Sequence, residues 1–256
     1  MRTKTLLLSA GALLAAGFVS SQAQPVYSQN IVGYASVVTP QAGQYYMMSV
    51  PFTIGVSNGA NEVFGTSLPD FSLIYVWNAG SQTFTVAEYD STQPQAGHSW
   101  YLPDDYTPIQ IPKLPVGQGF YLNPGGANVT NTFAGTVAVA VGGTNSITIP
   151  TAGAYYMIGS AIPYAGSVTN GNPTGAAAPG INLNGLPDFS LVYAWNASSQ
   201  TFTVAEYDST QPQPGYTWYL PDDYTPTTPP SLTVGQGFYI NLGSGTYTWN
   251  QTLSGN

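Results

Sequence analysis

Residues Leu68–Asn123 read LPDFSLIYVWNAGSQTFTVAEYDSTQPQAGHSWYLPDDYTPIQIPKLPVGQGFYLN, and residues Leu186–Asn241 read LPDFSLVYAWNASSQTFTVAEYDSTQPQPGYTWYLPDDYTPTTPPSLTVGQGFYIN. The offset is a constant 118, no gap is needed, and 44 of the 56 paired positions are identical. Within each copy two runs rich in β-branched and aromatic residues, Leu73–Trp77 and Thr83–Tyr89 in the first, flank a five-residue stretch of hairpin chemistry, Asn78-Ala79-Gly80-Ser81-Gln82. Ser198 stands where the first copy has Gly80, so a left-handed backbone is expected at Asn78 and Asn196 instead. Alternation puts Phe84, Val86 and Glu88 on one face and Thr85, Ala87 and Tyr89 on the other. Trp77 and Trp195, inside these strands, read as core residues.

Outward from this stretch the repeat continues. Ile31–Val38 is strand-like and stops at Pro40, and Tyr45–Phe52 is a second strand. The same unit returns at an offset of 110, with Ser146 for Ser36, Pro150 for Pro40, Gly153 for Gly43 and Tyr155 for Tyr45. The change of offset places an eight-residue insertion between Gly159 and Gly185, a Gly, Ala, Pro and Asn-rich loop. At the far end, aligning Thr252–Asn256 with Thr132–Thr136 leaves Val137–Val141 with no counterpart. Either the linker strand then serves both units or the second has an open sheet edge. No 3.6-residue periodicity appears after the first 23 residues. The expected fold is all-β: two tandem antiparallel β-sandwich or barrel-like domains from an internal duplication, residues 24–141 and 142–256.

Residues 1–23 read as a cleaved export signal. Arg2 and Lys4 precede the apolar run Leu6–Val19, and Ser21-Gln22-Ala23 offers small residues at a cleavage site before Gln24. The expected location is therefore secreted, extracellular or on the outer cell surface, with no membrane insertion of the mature chain. Of the three basic residues in the chain, removal of the signal leaves only Lys113, in a protein whose net charge is already −8. Such a chain repels phosphate backbones and is not expected to bind nucleic acid. Ser, Thr, Asn, Gln and Tyr must solvate its surface. A hydrophobic content of 43% and aromatic content of 13% argue against disorder. With no Cys, the fold depends on sheet pairing and packing. An outer-membrane barrel is disfavoured by the 21 Pro residues and short strands.

The combination of YYMMSVP at Tyr45–Pro51, the Tyr75-x-Trp77-Asn78 hairpin, a loop with a single Trp and the Gly117-Gln-Gly-Phe-Tyr121 strand resembles exported, uncharacterised all-β module proteins of Verrucomicrobia-like and Bacteroidetes-like bacteria. An opening like Gln29-Asn-Ile-Val-Gly-Tyr34 is shared with them. The resemblance implies an exported Gram-negative β-sandwich protein and supplies no catalytic residue.

Candidate chemistry concentrates in the loop Gln93–Thr107 and its twin. Trp100, Tyr101 and Tyr106, mirrored by Trp218, Tyr219 and Tyr224, would give sugars flat faces to stack on, with two copies supplying avidity on a polymeric glycan. Otherwise these rings plug the ends of the sandwiches. Asp104, Asp105, Asp222 and Asp223 are loop carboxylates of the kind that suits calcium, though no D-x-D-x-D-G spacing supports such a site. No other cofactor is expected. Glu88 with Asp90, and Glu206 with Asp208, would need an open cleft between paired acids to hydrolyse glycosides, and nothing in two small modules implies one. His98, the single His, is replaced by Tyr216 in the twin and reads as a surface residue. Gly117-Gln-Gly119 and Gly235-Gln-Gly237 lack the Lys and helix of a phosphate loop and read as tight turns.

Two functions therefore stand. The first is a non-enzymatic structural or adhesive protein of the cell surface or extracellular matrix, self-associating by strand complementation in which Val26–Tyr34 of one molecule fills an edge after Asn256 of another. The second is a bivalent carbohydrate-binding module whose partner is an extracellular glycan.

Overall fold

A computed structural model describes residues 31–92, 99–139, 143–170, 180–211 and 213–253. The export-signal reading, His98 and the start of the Gln93–Thr107 loop lie outside them. The described residues are nearly all β, in several antiparallel sheets that do not close into barrels.

The first half of the chain holds β1 (Val32–Thr39), β2 (Tyr46–Ser49), β3 (Phe52–Thr53), α1 (Ala60–Phe64), β4 (Ser72–Asn78), β5 (Thr83–Tyr89), β6 (Trp100–Tyr101), β7 (Gly119–Asn123) and β8 (Val129–Val137). A five-stranded sheet in the order β2-β7-β4-β5-β6 packs against a three-stranded sheet in the order β1-β8-β3. The expected strand Tyr45–Phe52 is thus two strands in different sheets. The chain crosses from one layer to the other at Val50-Pro51, where Pro has no N–H for a ladder.

The second half holds β9 (Thr144–Ile149), β10 (Tyr155–Gly159), β11 (Gly166–Ser167), β12 (Ser190–Asn196), β13 (Thr201–Tyr207), β14 (Trp218–Tyr219), β15 (Ser231–Leu232), β16 (Gly237–Asn241) and β17 (Tyr247–Thr252). Its five-stranded sheet, β10-β16-β12-β13-β14, has the strand order of the first, and β17 pairs with β9 as β8 pairs with β1. The hairpin registers match too: Trp77 lies opposite Phe84, and Trp195 opposite Phe202.

Alternation along the strands decides the cores. Ile74, Ala87, Phe120 and Leu122 point inward in the first half, and Val192, Ala205, Phe238 and Ile240 in the second. Each of the buried Ile, Val, Leu and Phe side chains among them contributes about 1.5–3 kcal/mol. The short helix α1 closes the first core with Phe64, whose ring meets Phe120 at 6.1 Å and Phe133 at 6.0 Å. Sequence periodicity misses it because five residues hold barely more than one helical turn. Glu62 holds the turn before it, accepting hydrogen bonds from the backbone N–H groups of Val56, Ser57 and Gly59, which lower its pKa to about 2. In the second half Trp249 is wholly buried, 5.6 Å from Phe238, with Nε1 donating to the Ile181 carbonyl.

Register corrects the alignment of the chain's last strand. Thr252 faces Thr144 as Ala134 faces Tyr34, so the offset of 118 simply continues. By that register Trp249 takes the place of Asn131, and Gln251 that of Phe133. Val137 itself ends β8, against Phe52 of β3, and the following Ala138-Val139 bend. No separate strand begins there among the described residues, but the two halves do differ at this edge: β8 pairs with both β1 and β3, whereas among the described residues β17 pairs with β9 alone. The core swap also explains two polar residues. The Gln251 amide accepts from Ala161 N–H at 2.9 Å and donates to Ser160 Oγ at 2.8 Å, whereas neither polar atom of the buried Asn131 side chain has a partner.

Candidate functional site

The aromatic loops form no stacking platform. Trp100 and Tyr101 expose 1% and 0% of their surface, and Trp218 and Tyr219 4% and 0%. These residues form the short strands β6 and β14, hydrogen-bonded to β5 and β13. Trp100 donates its Nε1–H to Asn61 Oδ1 at 2.6 Å and packs 5.4 Å from Tyr89, while Trp218 lies 5.6 Å from Tyr207. A loop that must stay ordered buries its largest rings, and of the six predicted stacking residues only Tyr106 and Tyr224 remain exposed. Tyr106 meets the buried Tyr101 ring edge-on at 6.5 Å, and both exposed tyrosines sit in tight loops with positive φ at Asp104 and Tyr106, or at Asp222 and Tyr224.

The four loop aspartates are divided between turn closure and electrostatics. Asp105 Oδ1 accepts from Thr107 N–H at 2.8 Å and Asp223 Oδ1 from Thr225 N–H at 2.9 Å, each capping its own turn. The charges of Asp104 and Asp222 act on Glu88 and Glu206. Burial, and then the neighbouring carboxylates, push both glutamates above the usual range, and one carboxyl oxygen of each is buried without a hydrogen bond. Among the described residues no three His, Cys, Asp or Glu side chains converge as metal ligands.

The functional geometry that the sequence conceals lies where the halves meet. Trp77 and Trp195 are not core residues of their own halves. They stand on the outer face of each five-stranded sheet and reach across to the other half. Trp77 Nε1 donates to the Tyr155 carbonyl at 2.8 Å, and Trp195 Nε1 to the Tyr45 carbonyl at 2.7 Å. Beside them the hairpin glutamines act as surrogate strand partners. Gln82 accepts from Tyr155 N–H at 2.9 Å and donates to its carbonyl at 3.0 Å; Gln200 does the same to Tyr45 at 3.0 and 3.1 Å. The left-handed positions of the hairpins are these glutamines, with φ of 54° and 56°, and not Asn78 and Asn196, whose side chains cap the turns.

The same reciprocity runs through the middle of the junction. Ser49 N–H donates to Gly235 O at 2.8 Å, and Gly159 N–H to Gly117 O at 3.0 Å. The halves approach so closely that a Cβ on Gly159 would lie 2.1 Å from Ser49 Cβ, and one on Gly237 2.7 Å from the Met48 carbonyl. The Gly-Gln-Gly sequences, read as tight turns, are also the sites where two sheets touch. Tyr121 and Tyr239 meet on the axis at 6.4 Å, flanked by Trp195 and Trp77, each 5.6 Å from the tyrosine of the opposite half. Edge contacts extend this to ten rings, five from each half. Burial raises the phenol pKa of Tyr121 and Tyr239 far above its ordinary value, so both stay neutral at the junction.

Two grooves flank the axis, one of about 570 Å³ beside Trp195 and one of about 550 Å³ beside Trp77. No helix among the described residues is long and apolar enough to cross a membrane. No family model, curated protein or solved structure matches the chain.

Proposed function

We propose that this chain is an exported, non-enzymatic structural or adhesive protein of the cell surface or extracellular matrix, which associates with itself through the edge of β1. The observation that carries this is β1 itself. Among the described residues it is an edge strand, partnered only by β8. Its outward residues Val32, Tyr34 and Val38 are 75%, 81% and 54% exposed. Edge strands in soluble proteins are commonly blunted by Lys, Pro or a bulge, and Val32–Thr39 contains none of these. The twin strand β9 places Thr144 and Thr148 where β1 has Tyr34 and Val38, so the apolar edge belongs to one half only. A second copy pairing antiparallel with β1 would extend the sheet and cover these side chains.

This replaces strand donation by Val26–Tyr34, because Val32–Tyr34 already pair with Ala134–Thr136 of their own chain. The carboxylates support a non-enzymatic role by the work they do: Asp70, Asp90, Asp105 and Glu62 each hold a backbone turn. Sedimentation across a concentration series tests the reading. The mature chain should associate as concentration rises, and Val32→Lys with Tyr34→Lys should keep it monomeric while it stays folded. A monomer at every concentration, or association that the double variant leaves unchanged, refutes it.

A further inference from the structure

We infer that the groove beside Trp195 is a binding site for a neutral saccharide, and that the chain carries one such site and not two. Its wall comes from both halves. Gln41 and Gln44 project from the turn between β1 and β2, and Trp195, Asn196, Ser198 and Gln236 come from the other half. No Asp, Glu, Lys, Arg or His lines it. A ligand held there gains no ion pair, and the strongly negative chain discourages an anion. What the wall offers is one indole, apolar side chains such as Val37 and Met47, and paired amide donors and acceptors. Sugar rings present that combination in reverse, with a C–H face for the apolar surface and vicinal hydroxyls for the amides.

The hydrogen-bonding capacity is open in part. Gln236 is committed, its Oε1 to Thr233 N–H at 3.0 Å and its Nε2 to Trp195 O at 3.1 Å, which fixes the groove floor. Asn196 Oδ1 is committed to Ser198 N–H at 3.0 Å. Among the described residues the side-chain amides of Gln41 and Gln44 have no partner. Trp195 is held in place by Tyr45, so the apolar face is preorganised and little ordering is needed on binding.

The second groove is a built-in control. It repeats the scaffold with Trp77, Asn78 and Gln118. The polar residues that would read hydroxyls are missing from it. Gln41, Gln44, Ser198 and Thr233 correspond to Thr151, Ala154, Gly80 and Pro115. Of the few substitutions that separate the two copies of the long repeat, those at Ser198 and Thr233 fall on this one groove. The groove shares Val38 with the β1 surface that would carry self-association, whereas Val32 and Tyr34, the residues replaced to test that association, do not line it.

The test is calorimetric titration of the mature chain with neutral hexasaccharides of glucan, mannan, galactan and xylan, alongside an extended uncharged peptide. At least one saccharide should bind with a stoichiometry of one. The variant Gln41→Thr, Gln44→Ala, Ser198→Gly gives this groove the residues its twin already tolerates, so folding is safeguarded and is checked by near-UV circular dichroism. Each lost hydrogen bond weakens binding about 5-fold, and the triple variant about 100-fold. Binding of no saccharide, two sites per chain, affinity unchanged in the folded triple variant, or binding of the peptide alone would each overturn the inference. Self-association is read separately by sedimentation, so failure of one proposal is not mistaken for failure of the other.

Discussion

Replacing Gln200 with Ala removes one side of the clamp between the halves. The Gln200 amide makes three hydrogen bonds, to Tyr45 N–H at 3.0 Å, to Tyr45 O at 3.1 Å and to Ala197 O at 2.6 Å. A net value of about 1 kcal/mol each would give about 3 kcal/mol, but these groups sit near the surface and water can replace part of what is lost. A cost of about 2 kcal/mol is therefore expected. In a chain of this size that lowers the unfolding midpoint by roughly 4–8 °C. Gln82→Ala should cost the same, because Gln82 holds Tyr155 through the same geometry at the opposite end of the junction. The two sites share no partner, so the double variant should show the sum of the single effects. Thermal unfolding followed by Trp fluorescence gives all three midpoints, since Trp77 and Trp195 lie beside the deleted amides. A shift below about 1 °C for either single variant would refute the reasoning, as would a second transition already present in the wild type.

Four further outcomes follow from particular contacts. Asn131 is buried with both side-chain polar atoms unpartnered, so Asn131→Leu should raise stability by about 1–3 kcal/mol in urea unfolding; a decrease would mean that its amide is satisfied. Gly159→Val must force Ser49 and Gly159 apart and should cost about 1–3 kcal/mol or more, whereas Gly80→Ser, which copies the twin hairpin, should be nearly neutral in the same assay. The Glu62 carboxyl is more acidic folded than unfolded, so its contribution is complete above pH 4.5 and lost as pH falls towards about 2; Glu62→Gln should remove that acid-side slope from the midpoint against pH. Glu88 and Glu206 have the opposite sign. Their folded pKa is raised, so they weaken the fold as pH climbs above the ordinary glutamate value, and Glu88→Gln with Glu206→Gln should raise the midpoint at neutral pH while leaving it unchanged in acid.

The strands, hairpins and all-β class were legible because their periodicity is local: Thr83–Tyr89 alternates, and its inward Ala87 and outward Phe84 fall where alternation puts them. Two kinds of feature were not. Trp77 does not take the core role that its strand suggests and ends at an interface between the halves, whereas Trp100 is buried, as one of the two readings of its loop expects. Solvent exposure is a property of the assembled layers, and a sequence read one strand at a time does not contain it. One signal did exist. β4 and β7 carry large apolar side chains on both faces, Ile74 and Leu122 inward and Tyr75, Trp77 and Tyr121 outward, and a strand apolar on both faces requires a cover on both. The terminal alignment failed for a related reason. Chemical likeness of TLSGN to TFAGT outweighed an ungapped offset, and only the ladder opposite β9 showed that Trp249 stands in for Asn131.

The backbone amides of Tyr45 and Tyr155 test the junction most directly, because each N–H is bound to a glutamine of the opposite half. Hydrogen exchange measured residue by residue in the intact chain should find both amides protected. Gln200→Ala should release Tyr45 and leave Tyr155 protected, and Gln82→Ala should do the reverse. Free exchange at both amides in the wild-type chain would contradict a reciprocal lock and mean that the two halves move independently.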